Sequence, residues 1–498
     1  MTDKSLIYER LKGIVGSKNI TDKEIIMEAY TASYAGTSPV HSLEMKSKKP
    51  DFIVRPLRVE EVQEIVRLAN EYKVPIIPMG ALTSMYADAV PIEGGIMLDM
   101  NRMKKIEIDE ELFTVTFEPG VTWAQTYREL AMKGYWIANQ SLPANVSVLG
   151  TITQAGMHMP FDKYVSHPYG SYQSDLTIGL KVVLPTGELL TTGSAALPGA
   201  KPQRARAYGP DIGALFLGAQ GTLGIVVKQT LPLYRIPEAR HVVTGIFKIE
   251  NFKGLTRALQ RIMHDIFGGT IWAEKVWGWY DAKADEWQLY VVLLGTKERV
   301  SFDREFSERV IKEEGGTIHA GPSQMLEPET YYSGSPVGLA FEEAIYWRPR
   351  ANSIVISPPD IGQCNIMGAD TYNKLPELHD AALEVLAKHG LPKSRIKMGG
   401  IIGAYAFENP LFAYLYTYNL NDSEELKRAN AITEEWARVS LEITGRRGTG
   451  LFYRPTPSLA KELMPKLGEY YELLKKMKRM LDPNRIMNPG KLMDIEPY

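Results

Sequence analysis

The chain has 498 residues, too many for one ordinary hydrophobic core, so at least two domains are expected. Lys and Arg number 57 against 59 Asp and Glu, a formal charge of −2 that offers no broad field for nucleic acid or an anionic membrane surface. The single cysteine, Cys364, excludes an intramolecular disulfide and a cysteine-held iron–sulfur centre and fits a reducing, cytoplasmic setting.

The opening segment, MTDKSLIYERLKGIVG, has the pattern of a charged amphipathic helix without the apolar core of a secretory signal. No uninterrupted apolar run is long enough for a membrane-spanning helix. DFIVRP then reads as a strand, VEEVQEIVRLANEYK as a helix with apolar residues at helical spacing, and VPIIPMG as a second strand, a βαβ-like unit. GGIMLDM, the hairpin KKIEIDEELFTVTFEPG and the helix VTWAQTYRELAMKG come next. TIGLKVVLPTGELLTTG is a hairpin turning at Pro185-Thr186-Gly187, and a glycine-rich turn feeds the strand after Gly224. Character changes at Ile236-Pro237. From 237 to 445, strands such as HVVTGIFKIEN and WQLYVVLLG alternate with helices such as SFDREFSERVIKEEG and PELHDAALEVLAKHG, which predicts an antiparallel sheet with helices on one face. The expected organisation is α+β, with one domain from 1–236 and 446–498 and a second from 237–445.

Four small-residue segments stand out for chemistry. The first, Pro78, Met79, Gly80, Ala81, Leu82, Thr83 and Ser84, leaves a strand with backbone N–H groups able to approach a pyrophosphate, or forms a plain surface turn. It is neither a Walker A loop nor a GxGxxG turn, which disfavours ATP and NAD. Ser141 to Thr153, with Pro143, Ser147, Gly150 and Thr151, has the same build, as does Gly221, Thr222, Leu223, Gly224, Ile225 and Val226. The fourth is LDPNRIMNPGK, where Asp482-Pro483-Asn484 and Asn488-Pro489-Gly490 predict two rigid turns. Just before it stands Tyr453-Arg454, a phenol beside a fixed cation, a pair that can hold an anionic ring or simply pack at the surface. None of the eight histidines forms an HxxxH pair, so no metal site is expected.

In their order, RPLRVEEVQEIVRLAN, PMGALTSMYADAVP, GGIMLDMNRMKKI, TVTFEPGVTW, HPYGSY, GLKVVLPTGELLTTG, GALFLGAQGTLGIV, FYRP and DPNRIMNPGK resemble the flavoprotein family of vanillyl-alcohol oxidase and p-cresol methylhydroxylase. The resemblance implies a bilobal PCMH-type FAD-binding domain and an intervening cap over the isoalloxazine. It also implies a phenolic substrate whose oxygen is held by Tyr86, Tyr453 and Arg454. Three donors on one oxygen stabilise its anion and lower the phenol pKa from about 10. Electron density from that oxygen then helps expel hydride from the benzylic carbon toward flavin N5, leaving a quinone methide. Tyr169 of HPYGSY matches a further pocket tyrosine and reads equally well as a core tyrosine with a satisfied hydroxyl.

Departures from the pattern refine these implications. Ser353 stands where the oxidase branch carries a flavin-linking histidine, which excludes that linkage. Tyr346, with Glu342 four residues before it, resembles a tyrosyl attachment point, but the spacing to Trp347 is one residue short and favours noncovalent FAD. Glu342 is a candidate base or hydrogen-bonding partner of the substrate, against the alternative of a solvated charge. Tyr414, Tyr416 and Tyr418 alternate as on a strand, which predicts an aromatic pocket lining on one face. A homo-oligomer, or a complex with a small cytochrome as electron acceptor, is implied. Two other readings stand beside this one: a 2-hydroxyacid dehydrogenase, which would call for cap histidines and a metal, and an electron-transfer subunit without its own substrate.

Overall fold

The computed structural model describes residues 4–30, 49–82, 88–137, 146–153, 176–236, 238–262, 271–277, 286–319, 361–391, 396–402, 411–419, 421–446, 460–461 and 463–493. The first sheet is built from β1 (Ile20–Thr21), β2 (Phe52–Val54), β3 (Ile76–Met79) and β4 (Ile96–Asp99) in the order β1-β2-β4-β3. The two strands of the expected βαβ unit, β2 and β3, run parallel to β4 and flank it rather than pairing with each other. All four residues of β4 are buried, the continuous apolar pattern of a central parallel strand. Helices α1 (Lys4–Val15) and α3 (Val59–Tyr72) pack with this sheet, with α2 (Glu24–Ala29) between them in sequence. In α3, Val62, Ile65, Val66 and Ala69 recur at helical spacing and are buried. Glu61 closes its first turn by accepting Leu57 N at 2.7 Å.

The second sheet is antiparallel, in the order β5 (Ile106–Asp109), β6 (Thr114–Phe117), β10 (Ile225–Pro232), β8 (Gly179–Val183), β9 (Leu189–Thr191). Helix α4 (Trp123–Ala131) starts at Thr122, whose hydroxyl accepts Gln125 N at 3.3 Å, and α5 (Val148–Thr153) comes after it. The short pair β7 (Tyr135–Trp136) and β11 (Tyr234–Arg235) lies next to the predicted boundary at 236–237, and Trp136 packs into the core of the second domain.

That core belongs to a seven-stranded sheet, β15 (Thr317–Ile318), β12 (Ala239–Lys248), β14 (Glu286–Gly295), β13 (Ile271–Trp277), β17 (Ile396–Ile402), β18 (Leu411–Asn419), β16 (Ile361–Ala369), in that order. Its pairings are antiparallel, as expected. Helices α6 (Phe252–Arg261), α7 (Lys297–Glu313), α8 (Leu375–Lys388) and α9 (Ser423–Arg446) cover one face. On β14, Trp287, Leu289, Val291 and Leu293 alternate into this layer. The three strand tyrosines of β18 do the same, which corrects the expectation of an aromatic pocket lining. Tyr416 Oη donates to Ala429 O at 3.1 Å, and Tyr414 Oη lies 2.9 Å from His379 Nδ1. All three rings are buried under the helices, so the aromatic stripe is core.

The chain returns through α10 (Glu469–Leu481), which packs on the second sheet of the first domain beside Leu180 and Val182. At its end sits a fully buried ion pair, Lys478 with Asp482. Lys478 Nζ also donates to Thr222 O at 2.8 Å and Met487 O at 2.9 Å, while Asp482 accepts Ile486 N at 3.0 Å and Met487 N at 2.8 Å. With its remaining valences filled, the pair braces the last turn against the third small-residue segment.

Candidate cofactor site

The four small-residue segments, scattered over more than four hundred residues of sequence, come together at the open end of β3. Gly80 follows that strand, and a Cβ there would lie 2.8 Å from Ser147 Cβ, so only glycine allows the first segment to touch the second. Ser147 in turn is fixed: its hydroxyl donates to Pro119 O at 2.6 Å and accepts Gly150 N at 2.9 Å. Thr151 donates to Ser147 O at 2.7 Å and is reached by Trp123 Nε1 at 3.4 Å, which pins the short helix α5. Gly221, at φ +70°, leans on Pro78, where a Cβ would meet Pro78 Cγ at 2.6 Å. The tail joins β3 directly, with Ile76 N donating to Ile486 O at 2.7 Å and Asn488 N to Ile76 O at 2.9 Å.

Asn488 is the junction. Its Nδ2 donates to Asp88 O at 2.9 Å and to Gln220 O at 2.6 Å, tying the far end of the first loop to the third segment. Both partners are carbonyls, which fixes the amide orientation. Its Oδ1 is buried with no hydrogen-bond partner among the described residues, an acceptor held ready for a donor. Around it, Arg485 clamps Glu93 at 2.9 and 2.6 Å, and Gly490 packs against Ile92. Lys491 is wholly buried, and that burial pushes its ammonium down to about 7 against the opposing pull of Asp88.

Not every candidate contributes a side chain. Gly224 is needed because Val182 and Val183 of β8 crowd it, and Ile225 and Val226 fill two different core clusters. Met79 is likewise core. With these side chains in the core, what the four positions can offer a cofactor is backbone, the kind of contact the sequence suggested for such segments. Sequence reasoning missed Gln220, which takes φ +52° so that its carbonyl meets Asn488, and the buried cations Lys478 and Lys491. A lysine directly after Asn-Pro-Gly and before Leu-Met sits in an apolar setting, which was the available signal for Lys491. Thr83, Ser84, Tyr86, Pro143, Tyr169, Glu342, Tyr346, Ser353, Tyr453 and Arg454 lie outside the described residues.

The donor set fits a flavin dinucleotide. The donors are close-approaching backbone at Gly80 to Leu82, with Leu82 at φ +51°, and a small-residue turn at Gly221, and beside them the orphaned Asn488 amide oxygen offers an acceptor. Elsewhere, a cavity of about 720 Å³ opens between α6, α8 and α9, lined by charged residues including Lys253, Arg257, Glu377 and Asp380. It sits on the helical layer and shares no residue with the four segments. Among the described residues no cluster of His, Cys, Asp or Glu could hold a metal. Two histidines of the helical layer are already engaged: His379 stacks on Phe252 at 4.5 Å and bonds Tyr414, and His389 Nε2 lies 2.6 Å from Glu435.

Comparison with known proteins agrees with this donor set. Residues 50–193 match the family described as FAD binding domain, and residues 369–492 that described as FAD linked oxidases, C-terminal domain. The chain is 25% identical over 468 residues to a probable mitochondrial D-lactate dehydrogenase of Danio rerio, covering 90% of this chain and 86% of the relative. It is 26% identical over 491 residues to the 4-cresol dehydrogenase [hydroxylating] flavoprotein subunit of Pseudomonas putida, covering 90% and 89%. In fold it is similar to 4-ethylphenol oxidase from Gulosibacter chungangensis, solved as its isoeugenol complex, with a TM-score of 0.81 at 19% identity over 100% of this chain and 98% of the other.

Proposed function

We propose that this FAD-dependent oxidoreductase, a PCMH-type FAD-binding fold closed by a C-terminal cap, oxidises a para-substituted phenol such as a 4-alkylphenol or a 4-hydroxybenzylic alcohol. The observation that carries this reading is the clasp on the first loop. Tyr86 stands in sequence between Leu82, beside the Gly80–Ser147 contact, and Asp88, whose carbonyl Asn488 holds at 2.9 Å. The two described ends of the segment that carries Tyr86 in sequence, Leu82 and Asp88, are thus both anchored at the cofactor segments. In this reading Tyr86, Tyr453 and Arg454 bind the substrate oxygen, favour its anion and orient the para carbon. Bound FAD supplies the acceptor for the hydride that leaves the benzylic carbon. The oxidised product is a quinone methide, which adds water or loses a further proton, and Glu342 is the group assigned to hold or move that proton. Gly80 to Leu82, Ser147, Gly221 and Asn488 would hold the cofactor noncovalently, with Tyr346 the one tyrosine to check for a linkage. A small cytochrome or oxygen would reoxidise it, in a cytoplasmic setting.

A second reading, oxidation of a D-2-hydroxy acid, is favoured by the relationship to the D-lactate dehydrogenase. Against it, His379 and His389 are committed inside the helical layer and are not offered to a substrate carboxylate. The test is anaerobic bleaching of the flavin band, at roughly 450 nm for an oxidised flavin, by a panel of 4-alkylphenols and of D-2-hydroxy acids. Bleaching by a 4-alkylphenol supports the first reading. If phenols act no faster than buffer while D-lactate bleaches a preparation holding stoichiometric zinc or manganese, the second reading replaces it.

A further inference from the structure

Helix α2 and the tyrosine that ends it reach the cofactor segments from the N-terminal arm of the first domain. No residue of this short helix is buried, and its ion pairs, Glu24 and Glu28 with Lys49 at 3.0 and 2.8 Å, are largely exposed. Exposed pairs of that kind hold little. The stronger tie is Tyr30, directly after the helix, whose Oη donates to Asp99 Oδ2 at 2.9 Å. Asp99 is 2% exposed; Arg55 Nε lies 3.3 Å from the same oxygen, and Asn101 N donates to Oδ1 at 3.0 Å. Burial, and then the charge of Asp99, push the Tyr30 phenol up to about 12, so it stays a donor in neutral solution.

This cluster stands where the first loop begins. Asp99, the last residue of β4, is in register with Met79, the last of β3, and Met100 N donates to Met79 O at 3.0 Å, so Asp99 stands beside the step from Met79 to Gly80. Arg55 directly follows β2. The three groups therefore gather at the carboxyl ends of the parallel strands, the end at which such sheets bind their ligands. Met27 and Tyr30 also pack on the same buried cluster, Ile77 and Met79 among it, that seats Leu82 and Ala89. A buried carboxylate with open lone pairs at this place would accept the N–H groups of the loop and repel an anion that they hold. With Tyr30, Arg55 and Asn101 N on its oxygens, Asp99 leaves the loop amides available. We propose that Tyr30 is a positioning residue for the cofactor: by occupying Asp99 and tying the end of α2 to the cluster under Leu82 and Ala89, its hydroxyl keeps the backbone of the first loop set for the anionic part of FAD.

Tyr30→Phe removes the hydroxyl and keeps the ring. The experiment follows release of flavin from the loaded protein on dilution, by the rise in fluorescence of free FAD, in wild type, Y30F, D99N and Y30F/D99N, with the melting midpoints of the loaded and flavin-free forms measured beside it. Y30F should release FAD on the order of tenfold faster, and its midpoint should fall further in the loaded form than in the flavin-free form. Because Tyr30 acts through Asp99, the Y30F change should cost less retention in the D99N background than in wild type. Equal midpoint losses in the two forms with an unchanged release rate would make Tyr30 a plain structural tie, and strictly additive effects of Y30F and D99N would separate it from Asp99; either result overturns the proposal. The release measurement rests on the noncovalent holding proposed above. Flavin that stays with acid-precipitated protein would refute that holding, and amide hydrogen exchange at Gly80 to Leu82 in the loaded protein then decides: faster exchange in Y30F supports the role of Tyr30, and unchanged exchange overturns it.

Discussion

The first domain and the cap use their side chains in opposite ways. Around the cofactor segments, the decisive residues are those with little or no side chain, and contacts such as Gly80 on Ser147 or Gly221 on Pro78 are made by backbone. In the cap, the residues that look most like chemistry, the three tyrosines of β18, are structural and share a layer with Trp287, Phe252 and His379. The lesson is that a binding site for a long, polyanionic cofactor is written as permission to approach, whereas aromatic richness on a strand is more often the plain filling of a sheet face.

That contrast can be broken most forcefully at the substrate. Tyr453→Phe should lower kcat/KM for a 4-alkylphenol by about 10²–10³-fold, as loss of one donor to a developing anion does, with the flavin still bound. A drop shared equally by every substrate tried would point away from phenolate recognition. Next in size is the brace beneath the site. Lys478→Met strands Asp482 in the core and should cost about 3–5 kcal/mol in chemical unfolding.

Lys491 gives the comparison a pH axis. Its folded value, about 7, lies below the ordinary value of about 10.4. Below pH 7 both folded and unfolded chains carry the proton, and the burial penalty is fully present. As pH rises above 7 the folded chain loses its proton first, so stability should climb, by on the order of 2–3 kcal/mol between pH 7 and 9. Lys491→Met should flatten that slope in urea titrations, and a slope that survives it assigns the dependence elsewhere.

Gly80→Ala should cost about 1–3 kcal/mol through the forced contact with Ser147 and weaken FAD retention in gel filtration. The smallest effect belongs to the cap. Tyr416→Phe removes the bond to Ala429 O and should cost about 1 kcal/mol without altering turnover or KM. A change in KM larger than the loss of stability explains would return that tyrosine to the pocket.

Much of this was readable in the sequence. Gly80, Gly221 and Asn488 announced themselves because positive φ and close approach admit few residue types, and α3 and β14 because their apolar periods are clean. The α+β organisation came from those periods. The direction of a strand face did not: period two says that Tyr414, Tyr416 and Tyr418 share a side, and only the position of α8 and α9 says which side is covered. Gly224 and Gly221 look alike in a row of letters, yet one answers to Val182 inside the sheet and the other to Pro78 at the site. The insertion of β4 between β2 and β3 was hidden for a related reason, since local pattern carries no information on which strands become neighbours.

The bond from Asn488 to Asp88 spans 400 residues of chain, and this bears on the order of assembly at the ribosome. Every strand of the seven-stranded sheet lies between residues 239 and 419, so that whole sheet is out of the tunnel once α9 has emerged. The first domain cannot close β3 or complete its clasp until residues 486–488 are out of the exit tunnel. Until then its central sheet offers an open edge at Ile76, the kind of unpaired strand edge that can pair elsewhere.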